Sequence, residues 1–156
     1  MNDLKKILIP KENKTNESIE ILEEKSDIKY IISLILKSKE DIYWIGSFES
    51  ILSVIKEKDL YRLLTWKRLD GKTTAYAISD NTLLKYPTFS KEIGNFRKMK
   101  ILKEKIETPG IILAINKKIV FINIYKTKKI KVYIINDEYV FSIYKFLFFS
   151  FWESLK

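Results

Sequence analysis

The run GIILAIN (110–116), KKIVFINIY (117–125) and KKIKVYIIN (128–136) decides the fold. Each piece is rich in Ile, Val, Tyr and Phe, whose branched or planar side chains suit a pleated surface. Asn-Lys-Lys and Lys-Thr-Lys-Lys separate them as short polar turns. Three strands so joined form a meander. Asn136 or Asp137 then stands where a helix N-cap is wanted, ahead of EYVFSIYKFLFFSFWESLK (138–156).

Upstream the texture differs. SIEILEE (18–24) reads as a short strand. In the helix that follows, Ile28, Ile31, Ile32, Ile35 and Leu36 recur at helical spacing, with Ser26 or Asp27 as cap. DIYWIGS (41–47) reads as a buried strand, and FESILSVIKEKDLYRLLTWKRLDG (48–71) as one helix stopping at Gly71. TTAYAIS (73–79) is the next strand, 82–98 a broken helical region, and KMKILKE (98–104) a short strand. Strands and helices alternate, then the meander and a closing helix follow. The fold class is α/β, a mixed sheet with flanking helices. Residues 1–17 are polar and read as a flexible N-terminal tail, with a single domain over 18–156.

The closing helix holds five Phe, two Tyr and a Trp in its nineteen residues. On a helical wheel Ser142, Lys145, Glu153 and Lys156 gather on one face. Val140, Ile143, Tyr144, Leu147, Phe148, Phe151, Trp152 and Leu155 cover the rest. Phe146 and Phe149 fall on or beside the polar face, where they would be exposed. Exposed large aromatics suggest a partner surface, so a homodimer or a docked separate chain is expected through Phe146 and Phe149.

At 156 residues and 46% hydrophobic composition, the chain can build one core but not two comfortable ones. There is no Cys and no His, which excludes disulfides, thiolate metal sites and the usual neutral-pH general base. No cofactor or metal is expected. No secretory leader and no apolar run of membrane-spanning length is present, so the expected setting is cytoplasmic. The net charge is +9, and residues 85–131 carry 12 Lys and one Arg against three Glu. Such a basic half suits nucleic acid as a secondary partner. Those lysines lack the interleaved Arg, Gly and aromatics of a base-stacking surface.

Nucleotide and metal signatures are absent. In a mixed α/β sheet, ligands sit beyond the carboxyl ends of strands, which singles out Gly46, Ser47 and Asp80. Gly46 could admit a ligand to the backbone or simply make the turn. Ser47 could bond a ligand or cap the next helix. Asp80 could meet a ligand or cap the next segment. Arg68, near a helix end, could face a ligand or serve as a dipole partner. Trp44 and Trp66 read as packing residues.

Residues 18–47, SIEILEEKSDIKYIISLILKSKEDIYWIGS, resemble the opening of the effector-binding domain of TrmB-like transcriptional regulators. WKRLDGKTTAYAIS, ETPGIILAINKKIVFINI and SIYKFLFFSFWESLK resemble later segments of the same domain, in the same order. Together they cover about 130 residues. The resemblance implies a phospholipase D-like fold. Active members of that superfamily carry His-x-Lys-x4-Asp on the hairpin strand. Aligned on Asn116, Lys117, Lys118 and Ile119, that pattern falls on Pro109, Ile111 and Asn116, so none of its three residues is present. The resemblance therefore implies a non-enzymatic domain sensing a small molecule such as a sugar. Full-length relatives place a helix-turn-helix ahead of this domain. About 17 residues precede the first strand here, so any DNA-binding domain is expected on a separate chain.

Overall fold

The computed structural model describes residues 18–70, 73–90, 96–127 and 129–156, with the side chains of 64–70 outside that description. The strands are β1 (Ser18–Leu22), β2 (Ile42–Gly46), β3 (Ala75–Ser79), β4 (Arg97–Ile101), β5 (Gly110–Ile115), β6 (Lys118–Ile124) and β7 (Ile130–Asn136). The helices are α1 (Asp27–Lys37), α2 (Phe48–Val54), α3 (Glu57–Asp70) and α4 (Glu138–Ser154), with a 3₁₀ turn at Asn81–Lys85. All seven strands join one mixed sheet in the order β1-β7-β6-β5-β2-β3-β4. β2, β3 and β4 run parallel, and the other neighbouring pairs run antiparallel. The expected tail at 1–17 lies outside the described residues.

The meander forms as its composition predicts. Ile115 pairs directly with Lys118, so Asn116 and Lys117 are the two turn residues. Both have positive φ, 48° and 60°, the backbone that a two-residue hairpin requires. Asn tolerates that region and Lys does so at a cost. Asn116 is also tied down, its Oδ1 accepting from the Ser38 hydroxyl at 3.1 Å.

The sheet has two unequal covers. α1 packs on one face over Ile42, Ile111, Leu113, Val120, Ile122 and Val132. Phe48, Leu60, Leu63, Leu83 and Phe89 extend that core toward β4. A cavity of about 170 Å³ remains within this layer. On the other face α4 is the one helix among the described residues, lying over Tyr43, Ile78, Ala114 and Ile119. Asp137 caps it by accepting from the N–H groups of Tyr139 and Val140. No described helix is long and apolar enough to cross a membrane.

Two expectations change. The single helix over 48–71 is two helices, broken at Ile55, which is extended at φ −124° and ψ 138°. Neither Gly nor Pro marks the break. It turns the chain so that Ile55, Leu60 and Leu63 all reach the cluster around Phe48. The closing helix also differs from its wheel. Phe141 and Phe148 are its buried residues, and Phe149 is half-buried rather than exposed. Ile143, Leu147 and Phe151 instead join Phe146 on the outside.

Candidate functional site

The parallel strands β2 and β3 end side by side, and antiparallel β5 begins against them. Gly46 therefore pairs with Ser79 on one side and Ile111 on the other. Pro109, Gly110 and Ile111 enter this end of the sheet, whereas Asn116 lies at the far turn. Gly46, Ser47 and Asp80 thus stand at the strand ends where the topology places them.

These groups face one another rather than outward. A Cβ at Gly46 would lie 3.0 Å from the Gly110 carbonyl oxygen and from Ile111 Cγ1. The close approach that Gly46 permits here is that of β5. Its carbonyl accepts from the Ser79 hydroxyl at 3.1 Å. Ser47 holds the cap position of α2 but makes no side-chain cap bond, and it is buried. It is one of the groups that favour the charged form of Asp80.

Asp80 is fully buried. One carboxylate oxygen accepts a short hydrogen bond from the Thr82 hydroxyl, and the other accepts from the Ile106 N–H at 3.0 Å. Burial raises the pKa of such a group. The hydrogen bonds from Thr82, Ile106, Ser47 and the Phe48 N–H together outweigh it, and hold Asp80 below the ordinary carboxyl value. This is a satisfied internal network that ties the loop 102–109 to two strand ends. Of the expected ligand contacts, it brings together Gly46, Ser47 and Asp80, and uses all three structurally. Arg68 lies in α3, and its side chain is outside the described residues.

Around this core is a charged rim that the sequence did not reveal. Glu49 of α2 meets Lys85 at 2.6 Å and Lys105 at 3.1 Å. The two ammonium groups hold the Glu49 carboxyl below its usual range. Three distant stretches supply this triad, so no local motif signals it. The basic half is engaged elsewhere too. Lys117 pairs with Glu138 and Lys131 with Glu23, both at 2.8 Å. Lys98 lies over the Tyr76 ring and Lys100 over Trp152. Among the described residues no group of His, Cys, Asp and Glu could hold a metal ion.

On the opposite face, Phe149 packs against Tyr43 at 5.3 Å and Tyr76 at 5.6 Å between ring centroids. Phe146 is 70% exposed, and with Tyr139, Ile143, Leu147 and Phe151 it forms an outward apolar face on α4.

No protein-family model matches the sequence, and no curated protein sequence matches it. Solved structures do. TrmBL2, an archaeal chromatin protein whose structure shows a novel mode of DNA binding, superposes with a TM-score of 0.63 at 15% identity, over 98% of this chain. The chain spans 58% of the length of TrmBL2. NucT from Helicobacter pylori gives 0.63 at 12% identity, over 89% of this chain and 98% of its own. Nuc, a phospholipase D family member from Salmonella typhimurium, gives 0.62 at 9% identity, over 90% and 97%. At these identities the likeness is one of architecture. The chain carries the phospholipase D-like fold shared by Nuc and TrmBL2, as its resemblance to TrmB-like effector domains implies.

Proposed function

We propose that this chain is a non-enzymatic sensing domain of the TrmB-like type, coupling a bound small molecule to an assembly made through α4. One observation carries the reading. Where the phosphodiesterase pattern places its His and Lys, this chain has Pro109 and Ile111, which carry neither a nucleophile nor a cation. Phosphoryl transfer on this fold needs a nucleophile and a cation on the phosphoryl oxygens. Neither is supplied by those two positions. The partner on α4 is a second copy or a separate DNA-binding chain, because the outward face there is apolar rather than basic. A sugar is one ligand class to screen.

Incubation of the purified chain with bis(p-nitrophenyl) phosphate, and with single- and double-stranded DNA, is expected to release product no faster than buffer. Hydrolysis proportional to protein concentration in independent preparations overturns the proposal. Direct nucleic-acid binding by the basic half is the second reading, favoured by the DNA binding described for TrmBL2. It requires affinity that falls steeply with salt. The pairing of Lys85, Lys105, Lys117 and Lys131 with Glu residues weakens a continuous phosphate track.

A further inference from the structure

α4 turns one side to the sheet and leaves a second apolar side bare. Tyr139, Ile143, Phe146 and Leu147 are each more than half exposed, and Phe151 is exposed beside them. Side chains of this size at those exposures present roughly 600 Å² of apolar surface, the upper end of what a monomer leaves bare. The hydroxyls on the same side add little polarity. Ser142 donates to the Glu138 carbonyl at 2.8 Å, Ser150 to that of Phe146 at 3.0 Å and Ser154 to that of Phe151 at 2.7 Å. Each is thus satisfied within the helix, as suits a surface from which water is removed.

The relief of this side complements itself. Phe146 stands out, and beside it runs a shallow groove lined by Ser142, Lys145, Phe149, Ser150 and Glu153. Lys145 and Glu153 lie about two turns apart on the helix. Neither has an ion pair among the described residues, and the Lys145 ammonium lies over the Tyr43 ring at 5.3 Å. Two α4 helices laid antiparallel set Lys145 of each copy opposite Glu153 of the other, so the attraction occurs twice about one two-fold axis. Laid parallel in register, they set like charge against like. In the antiparallel register Phe146 of each copy lies over the gap among Phe149, Ser150 and Glu153 of the other, a knob above a hole with a small residue in it. Two such faces together bury roughly 1,200 Å², the lower end of stable interfaces. A different partner would not require Lys145 and Glu153 to complement each other.

We infer that the bare side of α4 binds a second copy of this chain, with the two helices antiparallel, Phe146 of each seated over Ser150 of the other, and Lys145 paired with Glu153 across the axis. This pairing names the partner left open in the function proposed above, and rests on that reading for its purpose. Hydrolysis would overturn that function and leave the dimer standing. A monomer would overturn the dimer and leave the absence of hydrolysis standing.

Light scattering of the full chain at rising concentration is expected to show the mass moving from one chain to two. Lys145→Glu and Glu153→Lys should each weaken that association by about tenfold, since each sets like charges opposite twice, and the double variant should restore it. The chain has no Cys, so single cysteines report the register. In the antiparallel pair the two copies of Ser150 lie roughly 3 Å apart along the helix axes, and those of Ser142 roughly 21 Å apart. Ser150→Cys should therefore cross-link to itself with a short bismaleimide, and Ser142→Cys should not. If Lys145→Glu does not fold without its cation over Tyr43, the cysteine variants decide alone. A mass of one chain at every concentration overturns the inference. So do equal cross-linking at both positions, or charge reversals that the double variant does not repair.

Discussion

Two buried polar residues show opposite uses of a polar atom in this interior. Asp80 has its oxygens engaged by Thr82 and Ile106, with Ser47 and Phe48 adding to them. Asp80→Ala would strand several buried donors, and is expected to destabilise the fold by about 3 kcal/mol in chemical denaturation. Because folding lowers its pKa, the stabilisation is present above the ordinary carboxyl value of 3.8 and is lost as pH falls through the folded value. Asp80→Asn should flatten that part of the acid limb of a stability–pH curve. An unchanged limb means that other carboxylates govern it. Tyr144 is the reverse case. Its hydroxyl is buried without a hydrogen-bond partner among the described residues, and burial raises its pKa. Tyr144→Phe removes a desolvated group while keeping the ring, and should stabilise the protein by about 1 kcal/mol, or roughly 3 °C in melting temperature. A lower melting temperature would mean that the hydroxyl has a partner in solution.

At the scale of an element, α4 carries two apolar arcs and a sheet can take only one of them. A helical wheel ranks arcs by polarity, and here Lys145 and the serines misled it. Lys145 lies over the Tyr43 ring at 5.3 Å, so a charged residue borders the buried side. The sequence therefore disclosed that α4 has surplus aromatics but not which ones. Phe146 and Phe149 separate cleanly in consequence. Phe149→Ser removes ring contacts with Tyr43, Tyr76 and Phe148, and should cost about 3 kcal/mol of stability. Phe146→Ser should change stability by about 0.5 kcal/mol or less and lower the mass measured by light scattering. A mass that stays the same in wild type and Phe146→Ser removes this face as the assembly surface. That Gly46, Ser47 and Asp80 stand together at strand ends was legible, because topology fixes where strands end. Their saturation was not, because Thr82 and the Ile106 N–H come from segments with no motif of their own. Burial of Arg97 was hidden for a related reason: in a Lys-rich stretch it counted only toward the basic balance, whereas the fold pairs it with Ala75 and buries it.

Across the whole molecule, the order of elements followed from local composition, since β-branched runs and helical spacing are properties of neighbours in sequence. The order of strands in space did not. It depends on pairing between distant stretches, such as β2 with β5, for which a single sequence holds no signal. The most distant of these pairings is β1 with β7, in which Ser18 faces Asn136. β1 is an edge strand, with Ile19 and Ile21 largely exposed, so little burial compensates for closing so long a loop. Such a strand is expected to dock last and leave first, so its amides should exchange with solvent before those of the other strands. When it leaves, the edge of β7 is open to any matching strand, including β1 of another copy. The fold thus contains a route to strand exchange between molecules that leaves every other pairing of the sheet intact.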